Sequence, residues 1–473
     1  MKENDFVRRL KETKMTRWVR FGVVSVIYFA WVAWMQNAWL ALVWLLLFDI
    51  YITGYIPLTW WKKSPNKGVR QVMSWVDSIV YALVLVYFLF AYVGQNYKIP
   101  SSSLEKSLLV GDYLWVNKMV YGPRVPQTPL HFPLAQHTLP ILNCKSYIDQ
   151  PQVEYHRLEG LRDVERNDIV VFNYPCGDTV ALRIQNPDYY TIVNTLKHQG
   201  VENPRQYIAD RPQEFGEVVW RPVDRRENYV KRCIGLPGER IKIVDDVVYI
   251  NGKAIENADD VQFNYIIEVN GTIPRSMWEE VGVRIDDHGM APQESVYDSR
   301  KFYDVPLTAK AKAIVEKWPQ VVAPLRHERD FYDLSGDFTL FPGNDPYGWT
   351  RPNMGEIWIP KKGATLKLNA QNYPMYERAI RTYEGNDLEM RDGKIYINGK
   401  PTDSYTFKMD YYWMMGDNRD RSADSRYWGF VPEDHIVGTP ILVLISIDDQ
   451  KSLFEGSIRW DRIFRDANPY KNK

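Results

Sequence analysis

Between Arg20 and Lys62 the only charged side chain is Asp49, so 41 residues run almost without charge. As one helix this stretch would be about 60 Å long, roughly twice the hydrocarbon core of a bilayer. One crossing cannot hold it. The polar "MQN" at Met35 to Asn37 divides it into two helices near 21–34 and 38–56, which predicts a transmembrane hairpin over 21–57. A third apolar run, 73–93, contains only Asp77 and predicts a third transmembrane helix over 73–94. Flanking charge then orients the set. Residues 1–20 carry seven Lys or Arg against three acids, and the connector "WWKKSPNKGVR" within 58–72 carries four basic residues and no acid. Basic flanks stay on the cytoplasmic side of a membrane. Two such flanks on one side require an even number of crossings between them, and the third helix then delivers Lys98 and everything after it to the outer face. A cleaved secretory signal shares the basic start and apolar stretch, but no small-x-small site follows here and further apolar spans do. Asp49 and Asp77 are costly in a bilayer, so each is expected to find polar neighbours or to anchor a helix end.

Beyond Lys98 the pattern changes. "NDIVVFNY", "ENYVKRCIGL", "ERIKIVDDVVYING" and "GTPILVLISI" are rich in β-branched and aromatic residues and bounded by Gly, Pro, Asn and Asp, the signature of strands. "VVYINGKAI" at 247–255 reappears as "KIYINGKPT" at 394–402, each with an Asn-Gly that favours a tight hairpin turn. The expected architecture is therefore three N-terminal transmembrane α-helices followed by a mainly β domain, 95–255 and 394–473, interrupted by an inserted domain over 256–393. The Pro-rich "YGPRVPQTPLHFPLAQHTLP" reads as a fixed surface wrap, and a loop of that length calls for a function.

Lys plus Arg equals Asp plus Glu at 59 each, so no net field draws nucleic acid. Cys144, Cys176 and Cys233 match no metal-ligand spacing. No metal or cofactor is expected. Cys144 could pair with Cys176 in an oxidising compartment, or all three could be free thiols.

The chemistry turns on "KIPSSSLEKS", 98–107, where three serines follow an apolar span. Serine needs a base before it can attack, and the usual base is His. The seven His stand in no catalytic context, and no G-x-S-x-G elbow is present. A neutral lysine is the remaining option, and it requires burial that lowers a pKa of about 10.4. Lys231 in "NYVKRCIGLPG" suits this: on a strand it shares a face with Tyr229 and Cys233, while Arg232 points outward. Three other readings stand beside it. Lys231-Arg232 could be an ordinary solvated edge. Ser103-Leu-Glu-Lys106 spells the S-x-x-K of penicillin-binding enzymes, without their companion motifs. The β region could instead be a membrane-tethered module that binds other chains without doing chemistry on them. The polar "MMGDNRDRSADSRYWGFVPED", 414–434, reads as a loop or as a partly buried network of paired groups.

Together, the apolar anchor, "IPSSSLEKSLLVGDYLWVNKMVYG", "ERNDIVVFNYP", "YVKRCIGLPGERI" and "GDNRDRSADSRYWGFVP", in that order, resemble the bacterial type I signal peptidases (leader peptidases), membrane-bound Ser/Lys proteases. The resemblance implies removal of signal peptides after small-x-small sites, at the outer face of the bacterial inner membrane. The implied partners are signal-peptide-bearing precursors, the lipid bilayer and the secretion translocon. It implies Ser103 as nucleophile, Lys231 as general base and Ser101 as an oxyanion donor. Ser422 would orient the lysine, and Asp424 and Arg426 would form a supporting ion pair. Tyr97, Ile99, Leu104 and Val171, with Asn228 and Val230 on the opposing strand, would shape the pockets for a substrate added as a strand. Ser102, Leu104, Lys106 and Asn167 replace the family's Gly, Met, Pro and Gly.

Overall fold

The computed structural model describes residues 5–35, 38–283, 293–297, 300–330, 337, 339–449, 451–452 and 456–468. A short helix, Asp5–Glu12, precedes the longer α1 (Met15–Trp34), which is followed by an irregular helical segment, Ala38–Thr53, made of 3-10, α and π turns. Part of the polar break proposed at Met35 to Asn37 lies outside the described residues. The two segments pack as a hairpin: Phe21 meets Trp44 and Phe48 with ring centroids 5.3 and 5.5 Å apart. Trp44 Nε1 donates to Ser25 Oγ at 2.8 Å. Asp49 finds the polar neighbours its position demands, accepting from Thr53 Oγ1 at 2.5 Å and from the backbone N–H of Tyr55 and Ile56 at 2.7 and 3.0 Å. Helix α2 (Lys67–Phe88) is capped by Asn66, whose Oδ1 accepts from Gly68 N at 2.8 Å, and it winds on through Val93.

Among the described residues only one helix, Lys67–Val93, is long and apolar enough to cross a membrane. By length and composition it stands for one of the three spans expected. Past Arg20, α1 offers 14 residues, about 21 Å at 1.5 Å each, short of a core of about 30 Å. The apolar part of the second segment, Leu40–Thr53, is also short. On Lys67–Val93, Trp75, Ile79, Tyr81 and Leu85 are exposed. So large an exposed apolar surface needs an apolar environment to cover it.

The remainder is mainly β. Seven strands form one antiparallel sheet: β1 (Gly94–Lys98), β2 (Asp112–Asn117), β3 (Ile169–Asn173), β4 (Asn228–Gly235), β5 outside it (Arg240–Val244), and then β6 (Tyr411–Met415), Val431–Pro432 and β7 (Ile436–Ser446). Across the sheet the order is β1-β2-β7-β3-β4-β6 and then Val431–Pro432. In β3 every residue is buried, because both faces carry a core. Ile169 and Val171 pack with Ile99, Leu104, Leu114 and Val116 on one face; Val170 and Phe172 pack with Cys233, Met414 and Trp428 on the other. Asn251 and Asn398 adopt φ of +50°, and the following Gly252 and Gly399 adopt +78° and +74°. This is the double left-handed geometry of the turn anticipated at both Asn-Gly pairs.

The segment expected as one insertion, 256–393, divides in two. Strands Gln262–Val269 and Arg300–Thr308 pair over eight residues and close their own core around Trp278 and Trp318. Beyond it, Met354–Trp358 pairs with β5, and Ile357, Tyr376 and Ile380 join one core with Ile234, Ile241 and Trp413. That later half is therefore packed into the main β body. All three cysteines are free thiols, Cys144 exposed, Cys176 and Cys233 buried.

Candidate active site

After β1 the chain makes one 3-10 turn, Ser102–Leu104, that buries Ser103 and Leu104. Leu104 is 1% exposed and packs with Ile99, Val171 and Val230. This apolar anchor fixes the turn, and with it the hydroxyl of Ser103. Opposite, β4 pairs with β3 so that Lys231 lies across from Val170 and Arg232 across from Ile169. The period of two thus sends the two side chains to opposite faces. Lys231 Nζ lies 2.8 Å from Ser103 Oγ and 3.0 Å from the carbonyl of Val230. Lys231 is 3% exposed and Ser103 7% exposed.

Burial lowers the pKa of Lys231 from 10.5 to about 8, with Asp424 and Asp417 pulling the other way. At neutral pH a usable fraction of this amine is unprotonated. In the protonated form the amine donates to Oγ; once neutral it accepts the Oγ proton, which is what a general base must do. No His is hydrogen-bonded to Ser103 among the described residues. The buried His435 has both ring nitrogens occupied, by Asp434 at 2.5 Å and Arg226 at 2.7 Å. Lys106 of the S-x-x-K reading donates to the carbonyl of Gly282; the ammonium beside Ser103 belongs to Lys231.

The polar loop 416–424 frames the pair. Asn418 N donates to the Ser103 carbonyl at 3.1 Å, and Asn418 Nδ2 to that of Ser102 at 3.4 Å. A Cβ on Gly416 would stand 2.6 Å from the same Ser103 oxygen, so only glycine allows this approach. Gly416 N donates to Asp424 Oδ2 at 3.0 Å, and Asp424 receives Arg426 Nε and Nη2 at 2.9 and 2.8 Å. Ser422 is buried against the Gly416 backbone, where its Oγ donates to the Ala423 carbonyl at 3.4 Å. It has no hydrogen bond to Lys231 among the described residues. Ser101 is exposed at the mouth of the site with an extended backbone.

The expected outward direction of Arg232 is corrected by a second buried pair. Arg232 is 1% exposed because the face opposite Lys231 is also covered. Its Nε and Nη2 meet Asp417 Oδ1 and Oδ2 at 2.7 and 2.6 Å, and Ser107 Oγ donates to Asp417 Oδ2 at 2.7 Å. Burial alone would raise the carboxyls of Asp417 and Asp424, yet their guanidinium partners hold both below the ordinary carboxylate range. Two carboxylates whose charge reaches the lysine therefore stay ionised. Sequence reasoning missed Arg232, Asp417 and Ser107 as a unit. The Gly-Asp-Asn of the polar loop was the available signal, but the pairing spans 185 residues. Truncating Asp417 to Ala would strand a buried guanidinium, at a cost of about 3–5 kcal/mol. Denaturant unfolding should show that loss; a change below about 1 kcal/mol would mean that the pair is solvated.

Of the proposed pocket residues, Ile99, Leu104, Val171, Val230 and Tyr97 form one apolar cluster beneath the Ser103 turn. Burial raises the Tyr97 hydroxyl to about 12, so it stays protonated. Tyr97 also faces, with Asn228, a neighbouring cavity. Strand β1 is the sheet's edge, and β6 pairs with β4 only at Arg232, Cys233 and Gly235. The outer edge of β1 and the β6 side of Asn228–Lys231 thus have no strand partner among the described residues. An extended peptide could add there as a further strand.

A mainly β body that follows a long apolar helix and holds a buried serine against a desolvated lysine has the arrangement that a serine hydrolase with a lysine base would require. The sequence profile of the family described as "Signal peptidase, peptidase S26" matches residues 72–270 and 402–445. Curated relatives carry the name Signal peptidase I. That of Buchnera aphidicola subsp. Baizongia pistaciae is 42% identical over 394 residues, covering 83% of each chain. That of Helicobacter pylori (strain J99) is 28% identical over 402 residues, 83% of this chain and 90% of the relative. That of Haemophilus influenzae is 22% identical over 404 residues, 85% and 78% respectively. The chain belongs to the peptidase S26 family of signal peptidases.

Proposed function

We propose that this protein is a signal peptidase I, cutting signal peptides from exported precursors after small-x-small sites with Ser103 as nucleophile and neutral Lys231 as base. The 2.8 Å contact between Lys231 Nζ and Ser103 Oγ, with both groups buried, is the observation that carries this reading. Lys231 takes the Oγ proton as Oγ attacks the scissile carbonyl. The Ser101 hydroxyl and the Ser103 N–H hold the oxyanion, and the ammonium of Lys231 then protonates the departing amine. The acyl-enzyme is hydrolysed by a water that Lys231 deprotonates in turn. Asp424 with Arg426 keeps the polar loop in register, and Ser422 fills the space beside it. The unpaired edges of β1 and β4 take the substrate as a strand, and the cluster around Leu104 and Val171 forms the floor that admits only small side chains.

The helical hairpin and α2 would make three crossings, with the basic segments 1–20 and 58–72 in the cytoplasm and the β body outside the inner membrane. The hairpin's two short helices then rely on their Trp and Tyr residues to reach the interfaces. Lipid and the secretion translocon are the surroundings this topology implies. Detergent-solubilised protein should cut a precursor after Ala-x-Ala, and Ser101→Ala should slow kcat by about 10²–10³-fold, as loss of one oxyanion donor does. Uncut precursor, or an unslowed Ser101→Ala variant, would count against the assignment and the oxyanion role respectively.

A further inference from the structure

The Pro-rich loop after β2 takes no part in the chemistry above, yet it is firmly placed. Tyr87 OH at the outer end of α2 donates to the Pro129 carbonyl at 3.0 Å. Thr128 N and Oγ1 donate to the Asp224 carboxylate at 2.9 and 2.8 Å. Gln136 Nε2 donates to the carbonyls of Asp224 and Arg226 at 3.0 and 2.8 Å. The loop thus roofs a cavity of about 290 Å³ whose other walls are Phe90 past α2, Gln95 and Tyr97 of β1, and Asn228 of β4. It lies where the two unpaired strand edges begin, on the membrane side of Ser103.

Its charged lining is the guanidinium groups of Arg124 and Arg225 and the partly protonated amine of Lys118, against the single carboxylate of Asp224. Asp224 is already engaged by Thr128 and stands 3.6 Å from Arg225 Nε. Arg225 is 8% exposed, and its Nε makes no hydrogen bond; Gln127 Oε1 is likewise buried without a partner. Buried polar groups are ordinarily paired, so a donor and an acceptor left open in one cavity point to a ligand with both. The cavity is also short of negative charge. Burial, and then Arg124 and Arg225, lower the pKa of Lys118 to about 7.

A substrate's apolar segment comes from the membrane and precedes the cut, so its chain runs in the direction of β1. Tyr97 and Gln95 stand six and eight residues before Ser103. Ser103 faces the first residue before the cut, so at equal rise per residue they lie beside substrate positions about seven to nine before it. We propose that this cavity receives the polar stretch of the substrate there, and that its cationic wall admits neutral and acidic side chains while rejecting Lys and Arg. The proposal rests on the signal-peptidase reading and adds a subsite to it.

The test is kcat/KM of the full-length protein in neutral detergent on precursors sharing one Ala-x-Ala site and carrying Ser, Glu or Lys about eight residues before the cut. The Lys precursor should be cut about tenfold less efficiently than the Ser precursor, chiefly through KM, and the Glu precursor at least as efficiently as Ser. Arg225→Gln and Lys118→Met should each bring the Lys-to-Ser ratio to within about threefold of unity. If Arg225→Gln does not fold, the wild-type series and Lys118→Met still decide. Equal efficiency for the three precursors, or a ratio unchanged in the folded variants, overturns the subsite alone. No cleavage of any precursor overturns the catalytic reading and the subsite with it.

Discussion

Replacing Lys231 by Met should lower kcat by about 10²–10⁴-fold while leaving KM and the fold nearly unchanged, since positioned general bases contribute on that scale. Met is close to Lys in length and removes only the amine, so the strand pairing of Lys231 with Val170 is untouched. No carboxylate is orphaned by the change, because Asp424 and Asp417 keep Arg426 and Arg232. Lys231→Arg should be equally inactive, because a guanidinium stays charged across the accessible pH range and cannot accept the Oγ proton. Single-turnover cleavage of an Ala-x-Ala precursor, alongside thermal unfolding of each variant, reads both quantities. Retained turnover in the Met variant would transfer the base role elsewhere.

Ser103→Ala should be more damaging still, with kcat falling by more than about 10⁴-fold, because the group that forms the acyl bond is gone. The change removes one oxygen from a site 7% exposed. Leu104 still anchors the turn, and Asn418 N still reaches the residue 103 carbonyl. The variant should therefore bind precursor without cutting it, which a fluorescence or crosslinking assay would register as capture without product. Cleavage at an undiminished rate would remove Ser103 from the reaction; equal capture and no cleavage by both wild type and variant would favour the non-enzymatic reading.

Sequence reasoning reached the local features that residue chemistry sets directly. The Asn-Gly turns at Asn251 and Asn398 follow from the ease with which Asn and Gly take positive φ. The alternation along 229–233 follows from the pleat. What it could not supply was the identity of whatever covers a face. The strand period puts Arg232 opposite Lys231 but cannot say that this second face is covered, and only the return of the chain at Asp417 makes its burial tolerable. The same limit applies to the insertion. Ile357 and Tyr376 join the core of Ile241 because Met354–Trp358 pairs with a distant strand, a contact that no local pattern records. In the helical region, counting apolar residues gives three spans, and among the described residues only Lys67–Val93 is long and apolar enough by itself to cross a membrane.

The central claim is that a lysine stripped of water is neutral often enough to activate the adjacent serine. The pH dependence of kcat/KM on an Ala-x-Ala precursor tests it most directly. A base whose pKa is lowered to about 8 is blocked by a proton below that value and free above it. Activity should therefore rise with pH along a one-proton limb centred near 8, on a fold that stays intact across the range. A rate that is flat between about pH 6 and 9, or that keeps climbing toward the ordinary lysine value of about 10.4, would contradict it.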